Sequence, residues 1–383
     1  MNKKESEPST AQRRFTVSFD EPMCMTTGGM LRRLELALET YGMLNDRRDN
    51  AIMICHGLTG NQNAAGEPLP GTSQQPWWQL AIGPGLMFDT NRYFIVCANV
   101  PGGCAGSTGP ATTDLHTGRP FGMRFPRITI ADMADAGVRL QDYLGISSFL
   151  AVAGGCMGGF QALEFARRHP TRLSHVVAIS ATPFTSSYTI ALWELMRQAI
   201  YADPAWHGGD YYGQAQGPLT GMGLGAMIGS VLWLDRDTLA EKFGRRRIDT
   251  PSAEGDLPPP TVSRAPEFAV EAFLARVRAN ASLRFDPNSL ICLTKAMDLF
   301  DLADGYPNLV AGVSAIDKPV LLVSYESDWR YPRAEIARLA DAIATNGTNV
   351  SHHHLTSRFG HGAYQFDVSE LAPVVTGFLQ AKS

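Results

Sequence analysis

Apolar and polar positions alternate along the first half of the chain in a way that is typical of a parallel sheet. Short, continuously apolar runs rich in β-branched residues are separated by stretches whose apolar positions recur at helical spacing. Because such runs have no polar face, they predict strands that are covered on both sides and joined by crossover helices. The runs that predict strands lie at residues 51–55, 93–98, 149–153, 175–180 and 318–324.

The alternation stops near residue 183 and returns near residue 313. The pattern between these points is helical, and a stretch rich in Pro, Ser and Asp at residues 250–266 predicts a loop. The segments with helical periodicity are 190–201, 219–234 and 267–279. The glycines at 221, 223 and 225 lack the preceding strand and the lysine of a phosphate loop, so they indicate close packing between helices.

These changes predict one core interrupted by one insertion. We interpret residues 183–312 as a helical lid inserted into an α/β core made of residues 16–182 and 313–383. Residues 1–15 are polar and charged and have no apolar segment of the kind found in a signal peptide. They are therefore expected to form a disordered leader.

Composition narrows the class of protein. The chain has 383 residues, 44% of them hydrophobic, and a formal net charge of -4, so it can bury a large core and has no excess positive charge for nucleic acid. No stretch reaches the roughly 18 apolar residues of a membrane span, which predicts a cytoplasmic, membrane-free protein. The six cysteines are irregularly spaced and indicate neither a disulfide framework nor a zinc site. The adjacent histidines 352–354 predict no metal site, because neighbouring side chains of an extended segment point to opposite faces.

The segment Gly154-Gly155-Cys156-Met157-Gly158 follows a predicted strand and precedes a predicted helix. This is the context of a nucleophile elbow, with cysteine in the place where serine is usual. The partial positive charge at the start of the helix favours thiolate over thiol, and the amide of Met157 is a predicted donor to an oxyanion hole. An inert buried thiol in a glycine-rich turn is the alternative.

A nucleophile at such an elbow needs an acid and a histidine, which follow it in that chain order. Asp328 follows the apolar run that ends at residue 324, and His361 lies further along between two glycines. These two residues are the predicted partners of Cys156. His56 and His116 remain rival bases, although His56 begins a turn of the kind that gives a backbone N–H to an oxyanion hole.

Longer blocks of sequence resemble the homoserine O-acetyltransferase family. The resemblance runs from about residue 28 to the end of the chain and is more specific than the elbow alone. One block, residues 99–110, contains Cys104, which matches a family cysteine in a glycine-rich turn and is expected to be structural. The matching blocks include 36–61, 99–110, 125–132, 154–163, 203–212, 285–301, 327–329 and 360–361.

The resemblance implies an α/β-hydrolase fold with a mostly parallel central sheet and an inserted helical lid. It also implies a homodimer that forms through the lid and ping-pong acyl transfer from acetyl-CoA, which would be a co-substrate and not a bound cofactor. The family's nucleophile, acid and histidine fall on Cys156, Asp328 and His361. Its oxyanion amides fall on Leu58 and Met157.

Departures from the family pattern concern the substrate. The family's nucleophilic serine is Cys156 here, and the arginine that grips the amino-acid carboxylate is Ala226. A family tyrosine is Trp233, and the family's aspartate after the catalytic histidine is Gly362. Because these losses remove groups that would hold the charged ends of homoserine, we expect another acceptor, bulkier and uncharged or aromatic.

The sequence therefore predicts an acyltransferase that works through an acyl-Cys156 intermediate, with His361 as base and then acid. A thioester intermediate is about as activated as an acyl-CoA donor, which suits cysteine to this role. A hydrolase that cleaves an ester, thioester or lactone with the same residues is the first alternative. A catalytically silent binding protein is the second.

Overall fold

An eight-stranded sheet forms the centre of the computed structural model, which describes residues 12–72, 74–248, 265–281 and 285–381. The predicted strand runs coincide with β3 to β7 to within two residues at each end, so they are confirmed. The strands of the sheet are β1 (Arg13–Phe19), β2 (Leu34–Tyr41), β3 (Ala51–Cys55), β4 (Phe94–Ala98), β5 (Ala151–Gly155), β6 (Val176–Ile179), β7 (Val320–Tyr325) and β8 (Val350–Leu355).

The strands lie in the order β1-β2-β4-β3-β5-β6-β7-β8. Strand β2 pairs antiparallel with β1 and β4, and every other neighbouring pair is parallel. The carboxyl ends of the parallel strands therefore lie at one edge, where ligands bind in sheets of this kind. The segments that follow β3, β5, β7 and β8 carry the predicted oxyanion turn, nucleophile, acid and histidine.

Alternate residues of the central strands pack into two hydrophobic clusters, one on each face of the sheet. In β3, Met53 belongs to one cluster, whereas Ile52 and Ile54 belong to the other. This arrangement explains why the runs are continuously apolar, since a strand covered on both faces has no position for a polar side chain.

Helices cover both faces of the sheet and form the insertion between β6 and β7. Helix α2 packs against β3, β5 and β6, and α9 packs against β7 and β8. The helices are α1 (Ile130–Tyr143), α2 (Met157–Arg168), α3 (Ser187–Tyr201), α4 (Leu219–Trp233), α5 (Arg236–Phe243), α6 (Ala269–Asn280), α7 (Pro287–Asp298), α8 (Leu309–Gly312), α9 (Arg333–Thr345), α10 (Ala363–Phe366) and α11 (Leu371–Gln380).

The three helices predicted in the insertion are confirmed as α3, α4 and α6, and α4 packs against the other two. Its glycines make this close approach possible. A Cβ built on Gly221 would lie 2.7 Å from the Cα atom of Ile200 in α3, and one on Gly223 would lie 2.6 Å from Cγ of Arg278 in α6. The insertion can therefore reach the edge of the sheet as one packed group of helices.

One predicted boundary is wrong. Residues 13–15, which the sequence assigns to the leader 1–15, belong to β1, where Phe15 pairs with Leu38 of β2. Residues 1–11 and most of the predicted loop 250–266 lie outside the described residues. The division into core and lid stays a prediction, as does the cytoplasmic location. In the described part of the chain, no helix is both long and apolar enough to cross a membrane.

Candidate active site

Cys156 lies in the turn between β5 and α2 with φ 59° and ψ -125°, a conformation that few side chains adopt. The turn leaves no room for side chains beside it. A Cβ on Gly154 would lie 2.5 Å from the carbonyl oxygen of Cys55, and a Cβ on Gly158 would overlap the same oxygen. The glycines of the elbow are therefore required by the contact with β3, as a nucleophile elbow demands.

The side chains of Asp328 and His361 meet in the turns after β7 and β8. Asp328 Oδ2 accepts a hydrogen bond from His361 Nδ1 at 2.8 Å, and the two residues are only 2% and 1% exposed. Asp328 Oδ1 accepts from the amides of Arg330 and Tyr331 at 3.2 and 3.3 Å. The carboxylate is thus fixed at both oxygens. The other ring nitrogen of His361, Nε2, has no hydrogen-bond partner within the described residues.

Electrostatic interactions couple Cys156 to this histidine. Burial raises the pKa of the Cys156 thiol, but the charges of His361 and Arg330 outweigh burial and lower that pKa to about 7. Burial lowers the pKa of His361, and the negative charge of Asp328 outweighs this and raises it above its usual value. The site therefore favours a thiolate beside an imidazolium near neutral pH.

The two rival histidines do not reach the sulfur. His56 is fully buried, its Nδ1 donates to the carbonyl oxygen of Gly57 at 2.8 Å, and its Nε2 accepts from the amide of Val100 at 3.1 Å. Burial lowers the pKa of His56 to about 4. Its ring therefore fixes the turn after β3, while His116 is exposed in a surface turn.

The residues whose amides are predicted for an oxyanion hole lie close to the nucleophile, since Met157 follows Cys156 and Leu58 lines the same cavity. Met157 is the first residue of α2, so its N–H has no partner in the helix. Leu58 follows Gly57, and a Cβ built on Gly57 would lie 3.7 Å from Cβ of Cys156. Within the described residues neither amide donates to a backbone carbonyl outside a helix or strand. Both N–H groups are thus available to an oxygen that develops charge next to Cys156.

A cavity of about 330 Å³ opens above Cys156, between the edge of the sheet and the inserted helices. Helix α4 contributes Ala226 and Trp233 to its lining, so two of the residues singled out in the sequence do face the cavity. Gly362 is not part of the lining and lies beneath the indole of Trp233. Helices α3 and α6 add further apolar side chains, among them Trp193, Met196 and Val277.

Arg330 is a site residue that sequence patterns missed. Its side chain lines the cavity although the residue is only 5% exposed. Its Nη2 donates to the carbonyl oxygen of Leu232 at 3.2 Å, its guanidinium lies 5.1 Å from the ring centroid of Trp193, and its Nε has no hydrogen-bond partner within the described residues. Its position just after Asp328, at the carboxyl end of a central strand, was the available signal.

Cys104 lies outside this cavity. Its sulfur accepts a hydrogen bond from the amide of Asp286 at 3.5 Å, and burial raises the pKa of its thiol to about 12. It therefore remains a neutral thiol that connects a loop of the core to the start of α7. This agrees with a structural role and separates it from Cys156, the cysteine whose pKa is lowered.

Comparison with known proteins places this geometry in a class. Residues 50–364 match the family model described as alpha/beta hydrolase fold. The homoserine O-acetyltransferase of Solidesulfovibrio magneticus is 40% identical over 371 residues, which are 96% of this chain and 92% of that protein. The homoserine O-succinyltransferase of Bordetella pertussis is 38% identical over 363 residues, 94% of this chain and 86% of that protein.

A solved structure agrees with these relatives. The homoserine O-acetyltransferase from Bacillus anthracis superposes with a TM-score of 0.86 at 26% identity, over 98% of this chain and 99% of that one. The chain therefore belongs to the homoserine O-acetyltransferase family of α/β hydrolases. The resemblance to this family and the α/β-hydrolase fold with its mostly parallel sheet are confirmed. The protein is an acyltransferase by family.

Proposed function

We propose that this protein transfers an acyl group from acyl-CoA, through an acyl-Cys156 intermediate, to the hydroxyl of a small-molecule acceptor. The observation that carries the proposal is the 2.8 Å hydrogen bond between His361 and Asp328 beside a cysteine whose pKa is lowered to about 7. A thiolate at neutral pH is the reactive form of a cysteine nucleophile. Membership in a family of acyltransferases supports transfer to an acceptor.

In the first half-reaction the Cys156 thiolate attacks the thioester carbonyl of acyl-CoA. The oxyanion that forms accepts hydrogen bonds from the amides of Leu58 and Met157. As the donor's C–S bond breaks, His361 gives its proton to the departing CoA sulfur, which leaves as the free thiol. The acyl group is then a thioester on Cys156, and His361 is neutral.

In the second half-reaction neutral His361 takes the proton of the acceptor hydroxyl, and the hydroxyl oxygen attacks the acyl-Cys156 carbonyl. Collapse of the tetrahedral intermediate breaks the C–S bond, so Cys156 leaves as a thiolate and the proton remains on His361. The resting pair is thus regenerated. Asp328 keeps the imidazole in one tautomer throughout, since its Oδ2 binds Nδ1.

Homoserine is the acceptor to test first. The relatives that are about 40% identical are named for it, and the prediction of a different acceptor is not supported by them. That prediction took the changes at Ala226, Trp233 and Gly362 to remove the groups that would hold the charged ends of homoserine, and the group lost at Ala226 was a cation. Arg330 supplies one from the core side of the cavity.

A buried guanidinium without an ionic partner is costly, and a carboxylate that pairs with it removes that cost. The carboxylate of homoserine would pair with Arg330 in this way, and so would the free carboxylate of a dicarboxylic acyl group such as succinyl. The family includes both an acetyltransferase and a succinyltransferase. The acyl donors to compare are therefore acetyl-CoA and succinyl-CoA.

The first experiment incubates the protein with each acyl-CoA without an acceptor and records its intact mass. We expect an acyl adduct in the parent protein and in Cys104→Ala, and none in Cys156→Ala. No adduct with either donor, together with no release of CoA, would refute the proposal.

The second experiment adds an acceptor to the acylated protein. Homoserine should discharge the adduct and appear as its O-acyl ester, whereas 3-aminopropan-1-ol, which lacks the carboxylate, should discharge it more slowly. Loss of the adduct to water at a rate that neither acceptor changes would favour the hydrolase alternative.

We also propose that the protein forms a homodimer through the inserted helices. Several large apolar side chains of α3 and α4 are exposed in the single chain, which supports an interface at this face. They are Tyr188, Leu195, Leu219, Leu224 and Val231. Light scattering should give twice the chain mass for the parent protein and a single chain mass for Leu195→Asp.

A further inference from the structure

Tyr331 places a phenol hydroxyl against the sulfur of the nucleophile. Its oxygen lies 3.6 Å from Cys156 Sγ, and this is its one hydrogen-bond contact within the described residues. The residue is only 1% exposed. The proposed mechanism uses the proton of His361, the carboxylate of Asp328 and two backbone amides. It gives this hydroxyl no role.

The ring of Tyr331 is held from several sides. Phe160 of α2 meets it edge to face with ring centroids 5.8 Å apart, and His361 lies against it at 5.0 Å with the planes inclined by 38°. The amide of Tyr331 donates to Asp328 Oδ1 at 3.3 Å. Because the carboxylate that orients the histidine also fixes this residue, the phenol and the imidazole are positioned together around the sulfur.

The two groups in this contact hold their protons unequally. Burial and the charge of Cys156 raise the pKa of Tyr331 well above its usual value, so the phenol keeps its proton. The sulfur is the group that ionises, and a protonated phenol beside a thiolate can only donate. The other titratable side chains that act on the sulfur are His361, Arg330 and Tyr364.

We propose that Tyr331 is a catalytic residue that donates a hydrogen bond to the Cys156 thiolate and so increases the fraction of nucleophile that is ionised at neutral pH. The proposal rests on the acyl-Cys156 chemistry proposed above and adds a donor distinct from the oxyanion amides. Acylation removes the charge that the hydroxyl stabilises. The bond forms again as Cys156 leaves from the second tetrahedral intermediate, so the donor also favours that departure.

The effect of this donor depends on pH in a way that a purely structural role would not. A hydrogen bond to a charged group changes a pKa by on the order of one unit, which is a tenfold change in thiolate below the pKa. The intrinsic nucleophilicity of a thiolate rises with its pKa, by roughly threefold per unit for a Brønsted coefficient of about 0.4–0.5. Removal of the hydroxyl should therefore slow Cys156 at low pH and accelerate it at high pH.

The experiment measures the rate at which iodoacetamide alkylates Cys156 from pH 5.5 to 10, by peptide mass spectrometry, in the parent protein and in Tyr331→Phe. The matched control is Tyr325→Phe, which removes a buried hydroxyl that has no hydrogen-bond partner within the described residues. We expect the midpoint to rise by about one pH unit in Tyr331→Phe alone. The rate should be roughly threefold lower at the acid end and roughly threefold higher on the alkaline plateau.

Two results would overturn the proposal. One is a profile of Tyr331→Phe that matches the control. The other is a rate lowered by the same factor at every pH, which would report changed access of the reagent and not changed ionisation. Alkylation needs no acyl donor, so the test is separate from the proposed function: a shifted profile without an acyl adduct would remove the acyl-CoA chemistry and leave the donor assignment intact.

Discussion

The indole of Trp233 occupies the space in which a side chain at position 362 would begin. A Cβ built on Gly362 would overlap the indole Nε1 and lie 3.0 Å from Cε2. The same indole packs edge-on against His361, with ring centroids 5.1 Å apart and planes at 88°. Relative to the family pattern, Trp233 in α4 and the glycine after His361 are therefore one exchange, in which a larger ring fills the volume that the absent side chain leaves.

This contact predicts that substitutions at the two positions are not additive. Gly362→Asp alone should lower kcat/KM strongly, because the new side chain displaces the indole that packs on His361. Trp233→Tyr should restore part of the loss in the double variant, with a coupling free energy of about 1–3 kcal/mol. Steady-state kinetics of the two single variants and the double variant measure this coupling.

Gly377→Ala is the matched control for a change at a glycine, because a Cβ at position 377 in α11 meets nothing within 4 Å. It should leave kcat/KM unchanged. Losses from Gly362→Asp and Trp233→Tyr that simply add in the double variant would contradict the exchange.

The sequence was sufficient for the parts of the site that depend on chain order and on the backbone. The elbow could be predicted because the turn between β5 and α2 excludes side chains at Gly154 and Gly158. Asp328 could be predicted because it follows a parallel strand, and His361 because the histidine comes after the acid in chain order. These restrictions act locally, so they leave a pattern that is visible in the amino-acid sequence.

The contents of the pocket could not be predicted in the same way. The direction of a loop side chain such as Arg330 has no periodicity, so its position after Asp328 indicated that it is near the site but not that its guanidinium lines the cavity. The loss of a cation at Ala226 was visible, whereas the presence of Arg330 in the lining of the same cavity was not. The same holds for Trp233 and Gly362, whose separate changes become one exchange only when α4 packs over the segment after β8.

Substitution of Asp328 by Asn should lower kcat by about 10³-fold or more while KM changes little. The amide would present an N–H or a weaker acceptor to His361 Nδ1, so the imidazole would lose its preferred tautomer and the charge that stabilises its protonated form. The raised pKa of His361 should fall, because the charge of Asp328 is what opposes burial. Steady-state kinetics and an NMR titration of the histidine check both effects.

Asp135→Asn serves as the control, since Oδ1 of Asp135 in α1 binds Nε2 of His169, the residue after α2, at 2.7 Å and away from the cavity. If kcat falls no further in Asp328→Asn than in Asp135→Asn, Asp328 has no part in the mechanism.

The dependence of kcat/KM on pH should follow the ionisation of Cys156 to the thiolate. The pKa of Cys156 is lowered to about 7, so kcat/KM should rise with pH through about 7 as the nucleophile ionises. It should fall again at a pH above the usual range of histidine, because the raised pKa of His361 delays the loss of the proton that departing CoA needs. The two midpoints belong to the coupled pair.

A profile of kcat/KM against pH with acyl-CoA as the varied substrate measures these midpoints. An acid limb centred near the usual thiol range of about 8.5 would show that the neighbouring charges do not lower the pKa of Cys156. The same limb should shift in Tyr331→Phe and remain in place in Tyr325→Phe.

Loss of Arg330 should affect substrates that carry a carboxylate more strongly than substrates that lack one. In Arg330→Leu the charge-assisted hydrogen bonds to that carboxylate are lost, which costs on the order of 10- to 100-fold in kcat/KM for the substrate concerned. Four combinations of substrates identify the substrate whose carboxylate binds Arg330. They are homoserine and 3-aminopropan-1-ol as acceptors, each with acetyl-CoA and with succinyl-CoA as donor. A loss with homoserine but not with 3-aminopropan-1-ol, whichever donor is used, assigns the arginine to the acceptor. A loss with succinyl-CoA but not with acetyl-CoA, whichever acceptor is used, assigns it to the acyl group. An equal loss with all four combinations would contradict carboxylate binding and would point to the effect of Arg330 on the charge of Cys156.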